Sequence, residues 1–597
     1  MPNYQPAVQD LKFVINDVLN AGGDLSGFPV FENVDADLIG AIIDQLGTMA
    51  AEVIGPTNEV GDREGAVLGA NGVTVPSAFH GAYTSYVEAG WPSLTCAPEY
   101  GGQGLPNILL NLPAEMLGGA NSSFAMIALT GPGVFRVIET QASEELKKRY
   151  LPKIGSGEWA GAMSLTESQC GTALGLIRTR AEPQADGTYK ITGTKIFNTF
   201  GDHDLTENIV HLVLARLPDA PKGIKGISLF LVSKYLVGPD GALGERNSFA
   251  CGGLEKKLGI HGSPTCVTNF EGATGYLLGT PNRGMEGMFI IMNKMRLAAG
   301  ASAVGISDAA YQNALNYAKE RLAGRSPTGA KYPDLPGDPI IVHPDVRRML
   351  MLIRSYVEGG RLLCYWVGLN LDLAHVHTDE VQRERSELLV SLLTPVIKAF
   401  LSDKGSECCD VALQCFGGHG YIRDNGAEQY LRDVRVQRLG EGTSGVQALD
   451  FIGRKVVRDG GQALNLYFGR IREWLDADQA ASEPGVDDAL RRALDSIERL
   501  TAEHLPIWKD DPEAMAAVSL DFLHMIGYLT LAHMWAWMAR VARESLQQSS
   551  PESIFFENKI RTARFYCSYI LPEIEALALR VRAGGRDIMS IPERELA

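Results

Sequence analysis

The sequence predicts an α+β fold in which a β-rich central domain lies between helical domains, and three observations support it. Apolar residues recur at helical spacing in the first 160 or so residues, as over 37–46. Between about 161 and 285 they come in short alternating bursts separated by Gly, Pro and Asp, which predicts an antiparallel β-domain or small barrel. From about 284 the helical spacing returns. No helical pattern separates the β bursts, which argues against a Rossmann sheet.

These changes of pattern define the predicted domains. A composition shift near residue 475, to a segment rich in Ala and Asp, predicts a linker over 475–488, after which helical spacing continues to the end. The predicted order is an N-terminal extension (1–35), an N-terminal helical domain (36–160), a central β-domain (161–285), a helical domain (286–474) and an extra C-terminal helical domain (475–597).

Composition restricts the function. The 597 residues are 45% hydrophobic and 21% charged, with a net charge of −16, as in a large soluble protein of several domains. Excess carboxylates repel phosphates, so nucleic acid is not an expected partner. Nine scattered cysteines form no C-x-x-C pair, so we expect reduced thiols, no metal site and a cytoplasmic location. The N-terminus shows no secretory pattern, and no apolar run reaches the roughly 20 residues of a membrane span.

Two segments of the β-domain carry candidate ligand-binding groups. Residues 163–172 read MSLTESQCGT, and residues 195–199 read KIFNT. Hydroxyl-bearing strands beside glycine can offer N–H and O–H groups to a planar heterocycle, and an aromatic such as Phe197 can pack on its ring. Taken singly, each segment is more often an ordinary strand end.

The second helical domain contains a candidate acid–base residue. Residues 414–421 read QCFGGHGY, residues 430–433 read YLRD, and residues 441–443 read EGT. A carboxylate on a turn between a Gly-rich break and an amphipathic segment can remove a weakly acidic carbon-bound proton if another group accepts the accompanying hydride. A helix cap or a surface ion pair with Arg438 is the alternative for Glu441.

Together and in this order, these motifs resemble those of the flavin-dependent acyl-CoA dehydrogenases, over roughly residues 35 to 470. The resemblance implies an antiparallel β-barrel domain, a four-helix-bundle domain, bound FAD and a homodimer or homotetramer. Four positions depart from the family's pattern: Ser168 replaces Pro, Thr172-Ala173 replaces Ser-Asp, and Phe197 replaces Trp.

The resemblance also implies roles for individual residues. In the β-domain, Thr166 and Thr199 would contact the flavin, Phe197 would pack on it, and Thr172 would reach CoA. Arg321 would grip the pyrophosphate of a neighbouring subunit's FAD, for which a planar guanidinium is suited; a solvated helix-face arginine is the alternative. The implied cofactor-binding set is Met163, Leu165, Thr166, Phe197, Thr199, Arg321, Gln414, Gly417, Gly418 and Thr443, and the implied substrate-binding set is Thr172, Arg296, Gly440 and Gly442.

Glu441 matches the catalytic base of the family. Some members place the base immediately before the arginine that corresponds to Arg296, but Met295 stands there and cannot ionise. The implied reaction removes the α-proton to Glu441 and the β-hydride to FAD, giving a trans-2-enoyl-CoA. The Glu441 N–H would help stabilise the thioester oxygen, and burial is expected to raise the pKa of Glu441. Gly440 stands where the family commonly has an aromatic residue.

Several alternatives stay open. The length and the extra C-terminal region resemble a long bacterial subgroup of the family, for which 3-(methylthio)propanoyl-CoA or another short or medium acyl-CoA is the expected substrate and an electron-transferring flavoprotein the expected acceptor. An acyl-CoA oxidase that uses O2 is one alternative. A flavin-containing DNA-binding relative is another, although residues 471–597 carry 14 Lys and Arg against 21 Asp and Glu. A catalytically silent scaffold would lack the base.

Overall fold

The computed structural model describes residues 3–477, 482–548 and 552–596. They form two compact units: Thr48–Ala298, and Met1–Gly47 with Ala299–Ala597. The helices are α1 (Val8–Lys12), α2 (Ala21–Ser26), α3 (Ala36–Met49), α4 (Thr57–Glu64), α5 (Ala78–Glu88), α6 (Asn111–Ala120), α7 (Ser122–Gln141), α8 (Glu144–Ser156), α9 (Gly284–Glu320), α10 (Pro344–Val376), α11 (Glu380–Val396), α12 (Ser402–Phe416), α13 (Ala427–Val434), α14 (Ser444–Leu449), α15 (Gln462–Asp476), α16 (Pro484–Asp510), α17 (Pro512–Gln547), α18 (Ser553–Phe565), α19 (Glu573–Ala583) and α20 (Arg586–Met589). The strands are β1 (Val67–Gly69), β2 (Gly72–Thr74), β3 (Trp159–Ser164), β4 (Arg180–Pro183), β5 (Tyr189–Thr199), β6 (Asn208–Ala215), β7 (Ser228–Ser233), β8 (Tyr235–Val237), β9 (Leu243–Arg246), β10 (Phe249–Leu254), β11 (Thr265–Leu278), β12 (Leu322–Ala323) and β13 (Asp338–Pro339).

The central sheet belongs to the unit Thr48–Ala298. Its strands follow the order β3-β6-β7-β11-β5-β4, with β10 also paired to β11. All neighbours are antiparallel except β3 and β6, which are parallel. Within the described residues β3 and β4 do not pair, so the predicted closed antiparallel barrel is not found. Alternation of apolar residues indicates which face of a strand is buried, but it does not specify the direction of the neighbouring strand or whether a sheet closes.

Both faces of this sheet are covered by apolar side chains. On β6, Leu212 and Leu214 join a cluster that includes residues of α7 and α8, while Val213 and Ala215 join a second cluster with Phe230. This alternation follows from the two-residue period of a strand. Strand β6 is therefore buried on both sides. It pairs with β3, whose last two residues begin the first candidate ligand-binding segment.

The other unit is mainly helical and contains one short pair of strands, β12 and β13. Helix α10 packs against α11, α12, α17 and α18, and α17 packs against α16 and α19. A buried ionic cluster ties the N-terminal segment to these helices: Asp10 pairs with both Arg361 of α10 and Lys559 of α18. Lys559 also pairs with Glu358 at 2.7 Å. The segment around Asp10 is thereby anchored on the helices of its own unit.

Among the described residues, α9 and α17 are long and apolar enough to cross a membrane, and 56% and 61% of their most apolar windows are buried within the protein.

Helix α15 ends at Asp476 and α16 begins at Pro484, so the linker predicted over 475–488 is shorter than expected. Proline suits the first turn of a helix, which explains why α16 begins there. Residues 478–481 of the predicted linker lie outside the described residues.

Candidate active site

The first candidate segment lies at the end of β3 and faces the end of β5. Ile196 N donates to Thr166 O at 2.8 Å, so the two predicted motifs are adjacent. Opposite them on β11 the register shifts, because Asn198 pairs with Cys266 and Lys195 pairs with Thr268. Two residues of β5, Ile196 and Phe197, thus face one residue of β11.

This β-bulge reorients Phe197. Its backbone has φ +57°, in the left-handed region that non-glycine residues seldom occupy, and its side chain is 59% exposed. Bulges next to functional sites commonly redirect one side chain. The result is an aromatic face directed away from the core, beside the partly buried Thr166 and Thr199.

A buried ion pair holds the two segments together. Lys195 Nζ donates to Glu167 Oε1 and to Leu165 O, both at 2.9 Å. Glu167 also accepts from the backbone N–H groups of Arg178 (2.7 Å) and Thr179 (3.0 Å). The Lys195 and Glu167 side chains are 0% and 4% exposed. Burial alone would raise the pKa of Glu167, but the charge of Lys195 and these hydrogen bonds outweigh it and lower that pKa to about 2.

The other site residues predicted in this unit differ in exposure. Met163 and Leu165 are half-buried and also contact the apolar cluster beneath the sheet. Thr172 is exposed, two residues beyond the tight turn that joins Glu167 to Cys170. Arg296, on α9, is half-buried, and its Nη1 donates to Asn293 at 3.4 Å.

Glu441 occupies a strained turn in the helical unit. Gly440 N donates to Val436 O, which ends the preceding helical turn, and Glu441 has φ +56°. A non-glycine residue in this region costs on the order of 1–3 kcal/mol and persists only where the surroundings enforce it. Gly442 follows with φ +95°, and Thr443 Oγ1 caps α14 by accepting from Val446 N at 3.4 Å. The half-buried Glu441 is thus held by a defined turn.

Two buried side chains fix the carbonyl groups of this turn. Gln447 Nε2 donates to Glu441 O at 2.9 Å, and Lys398 Nζ donates to Gly442 O. Lys398 is 0% exposed and lies in the π-helical segment Ile397–Leu401 between α11 and α12. Such segments occur frequently at functional sites.

Asp403, at the start of α12, binds the turn from both sides. Its Oδ1 accepts from Arg438 Nε at 2.5 Å and from Ser444 Oγ at 2.8 Å. These residues stand three positions before and three positions after Glu441. Burial acts to raise the pKa of Asp403, but hydrogen bonds from His524 and Ser444 and the charge of Arg438 lower it, so the carboxylate stays ionised.

A third group of predicted residues lies at the other end of α12. Tyr317, one turn before Arg321, stacks on Phe416 with ring centroids 4.5 Å apart, and its hydroxyl is 3.2 Å from His419 Nδ1. Arg321 is therefore near the exposed Gln414, Gly417 and Gly418. Within the described part of the chain, its guanidinium has no hydrogen-bond or ion-pair partner. A Cβ at Gly417 or Gly418 would meet no atom within 4 Å, so the backbone is open to close approach.

These observations fit the groups that FAD would need. An exposed aromatic face beside two threonines suits a planar ring, and an exposed arginine beside open glycines suits a phosphate. The described residues contain no group of three or more His, Cys, Asp or Glu placed to hold a metal ion.

Sequence reasoning missed the residues that hold the site. Glu167 and Lys195 lie inside the motifs 163–172 and 195–199, which do not indicate that the two residues pair, and the local sequence around Lys398, Asp403 and Gln447 forms no recognisable site motif. Lys398 had one usable signal, because a charged residue within the apolar run 393–401 is expected to be buried with a partner.

Comparison with known proteins identifies the family. Three family models match: "Acyl-CoA dehydrogenase, N-terminal domain" over residues 56–158, "Acyl-CoA dehydrogenase, C-terminal domain" over 282–457, and "Acetyl-CoA dehydrogenase C-terminal like" over 467–592. The chain is 38% identical to the 3-methylmercaptopropionyl-CoA dehydrogenase of Ruegeria pomeroyi, over 98% of this chain and 99% of that protein. It is 32% identical to a butyryl-CoA dehydrogenase of Syntrophomonas wolfei, over 99% of each.

A solved structure agrees in fold. The acyl-CoA dehydrogenase of Bacillus anthracis complexed with FAD is 20% identical, with a TM-score of 0.72 over 91% of this chain and 87% of that one. The family models and the two relatives show that the chain belongs to the acyl-CoA dehydrogenase family.

Proposed function

We propose that this FAD-dependent acyl-CoA dehydrogenase oxidises a short or medium acyl-CoA to its trans-2-enoyl-CoA, with 3-(methylthio)propanoyl-CoA as the first candidate substrate. The observation that carries the proposal is the Glu441 turn, whose strained backbone is enforced by Lys398, Asp403 and Gln447. The choice of substrate is supported by the Ruegeria pomeroyi relative, whose name specifies that thioester.

In this proposal Glu441 accepts the α-proton of the thioester. Its carboxylate is the group at the turn that can act as a base, since its neighbours Gly440, Gly442 and Thr443 cannot ionise near neutral pH. The N–H of Glu441 would donate to the thioester oxygen and stabilise the negative charge that develops there. FAD, when bound, supplies the acceptor for the β-hydride.

The remaining predicted residues would bind and orient the two ligands. Thr166 and Thr199 would donate hydrogen bonds to the flavin, Phe197 would pack on its ring, and Met163 and Leu165 would offer backbone contacts. Thr172, Arg296, Gly440 and Gly442 would line the path of the acyl-CoA. Thr443 would contact the cofactor from its exposed position at the start of α14.

We also propose a homodimer or homotetramer in which α9, α10, α11 and α12 form the four-helix bundle. Arg321, Gln414, Gly417 and Gly418 lie at the C-terminal end of α12, whereas the Glu441 turn is held by Asp403 at its N-terminal end. At 1.5 Å per residue, positions 403 and 414 are on the order of 16 Å apart. The two groups thus lie at opposite ends of α12, and we propose that they belong to the FAD sites of different subunits.

Anaerobic bleaching of the bound flavin by a panel of acyl-CoA thioesters tests the function. Butyryl-, octanoyl-, palmitoyl- and 3-(methylthio)propanoyl-CoA should separate chain-length preference from recognition of the thioether. Bleaching by a short or medium thioester is the expected result, and a flavin that no thioester reduces would overturn the proposal. Oxygen consumption with the same substrates distinguishes an oxidase from an enzyme that passes electrons to an electron-transferring flavoprotein.

A further inference from the structure

The C-terminal helical region contacts the group that holds the catalytic turn. His524, on α17, places its Nε2 3.0 Å from Asp403 Oδ2. The other oxygen of the same carboxylate accepts from Arg438 and Ser444, which flank Glu441. The His524 side chain is 19% exposed and the Asp403 side chain 8%. The two oxygens of Asp403 thus bind different elements: Oδ2 binds α17, and Oδ1 binds the residues on either side of the Glu441 turn.

Close packing of α17 fixes the place of His524. A Cβ at Gly527 would lie 2.4 Å from Phe400 Cγ, so only glycine lets α17 approach the π-helical segment this closely. Phe400 in turn packs edge-on against His524, with ring centroids 5.5 Å apart. Phe400 and Lys398 belong to the same segment, so α17 supports both the lysine that binds Gly442 O and the carboxylate that binds Ser444.

We propose that His524 is a positioning residue for catalysis: by donating to Asp403, it keeps that carboxylate oriented between Arg438 and Ser444 and so holds the Glu441 turn. The extra C-terminal region then acts on the chemistry without touching the substrate. This inference rests on the proposed role of Glu441. It predicts that loss of the His524 donor lowers the rate of flavin reduction while substrate and FAD binding persist.

Helix α17 offers a matched control. His533, nine residues further on, is 2% exposed and packs among the rings of Trp366, Trp474 and Trp537. It has no contact with Asp403 or the turn. A substitution there tests whether disturbing α17 is enough to slow the reaction.

The test compares His524→Gln with His524→Asn in the full-length holoenzyme, with His533→Gln as the control. The Gln amide nitrogen can take the place of Nε2, whereas the shorter Asn side chain cannot reach Asp403. We expect His524→Asn to lower the rate of anaerobic flavin bleaching at saturating acyl-CoA by roughly tenfold to a hundredfold, because small misplacements of catalytic groups have effects of this size. KM and FAD content should change less than about twofold, and His524→Gln should recover most of the rate.

Hydrogen–deuterium exchange provides a readout that does not depend on turnover. Peptides covering residues 438–446 should exchange faster in His524→Asn than in wild type, and His524→Gln and His533→Gln should match wild type. Equal bleaching rates and exchange in wild type and His524→Asn would overturn the inference, as would an equal loss in His533→Gln. A wild-type flavin that no thioester bleaches would instead overturn the proposed function and the inference with it. Bleaching that Glu441→Gln abolishes and the His524 variants do not alter would overturn the inference alone.

Discussion

Phe197 and Glu441 lie in different units of the protein, yet both carry left-handed backbone, with φ +57° and +56°. Phe197 is held locally: a bulge sets its backbone, and the Glu167–Lys195 pair joins the two strand ends beside it. The Glu441 turn is held by side chains from three helical segments: Lys398 of Ile397–Leu401, Asp403 of α12 and Gln447 of α14. Neighbouring strands are thus sufficient to hold the backbone at Phe197, whereas the Glu441 turn is supported by side chains from several helical segments.

The largest expected effect is on the rate of flavin reduction, when the carboxylate of Glu441 is replaced. Glu441→Gln keeps the shape of the side chain but removes the base, so we expect the rate of flavin reduction by acyl-CoA to fall about 10²–10⁴-fold. FAD content should stay at the wild-type level, because Glu441 has no proposed cofactor contact. Stopped-flow bleaching measures the rate. Glu557→Gln, in an exposed pair with Arg561 on α18, is the control and should be as active as wild type. Rapid bleaching of Glu441→Gln would exclude Glu441 as the base.

Breaking the support of Phe197 should have the next largest effect. Lys195→Met leaves the buried Glu167 without its cation, and removing one partner of a buried pair costs about 3–5 kcal/mol. We expect a lower free energy of unfolding, measured in urea, together with loss of bound FAD. Lys190→Met, which removes a partly buried lysine on the same strand bonded to Thr274, is the control. Unchanged stability and FAD content in Lys195→Met would show that the pair does not organise this region.

The same pair predicts an acid sensitivity of the β-containing unit. The pKa of Glu167 is lowered from its ordinary 4.5 to about 2 in the folded protein. Its contribution to stability is therefore complete above pH 4.5 and is lost as the pH falls from about 4.5 towards 2. Urea unfolding monitored at a series of pH values should show this loss in wild type. In Lys195→Met the loss attributable to Glu167 should be smaller, and identical pH slopes in the two proteins would contradict the assignment.

A smaller effect should reveal the backbone strain that both positions share. At Phe197 and at Glu441, substitution by Gly and by Ala removes the same functional groups, but only Gly adopts positive φ without strain. The Gly variant should therefore be more stable than the Ala variant by about 1 kcal/mol at each site. Urea unfolding of the four variants measures the two differences. Equal stabilities of a Gly and Ala pair would show that the backbone at that position is unstrained.

Local sequence motifs predict some residues of the candidate site but not the contacts that hold them. Glu441, Phe197 and Arg321 are predicted as site residues because their neighbours in sequence form recognisable motifs. The bulge at Ile196 and Phe197 is not predicted, since it depends on the register of β11, more than sixty residues away. Lys398, Asp403 and His524 act through contacts between distant parts of the helical unit, which no local pattern encodes. The sequence predicts an antiparallel sheet, and the parallel β3–β6 pair depends on long-range pairing in the same way.

The smallest effect on stability is expected at Gly440, the position where the family commonly has an aromatic residue. A Cβ built there meets only Val436 O, at 3.6 Å, and the backbone is not left-handed, so a side chain can be accepted. Gly440→Tyr should change the free energy of unfolding by less than about 0.5 kcal/mol. We expect it to alter which acyl-CoA bleaches the flavin fastest, since the ring would occupy space beside the base. Gly445→Gln, which is also open at Cβ, tests whether any bulky residue near the turn has the same effect. If the acyl-CoA panel gives the same ranking in Gly440→Tyr and wild type, the missing aromatic residue does not determine specificity.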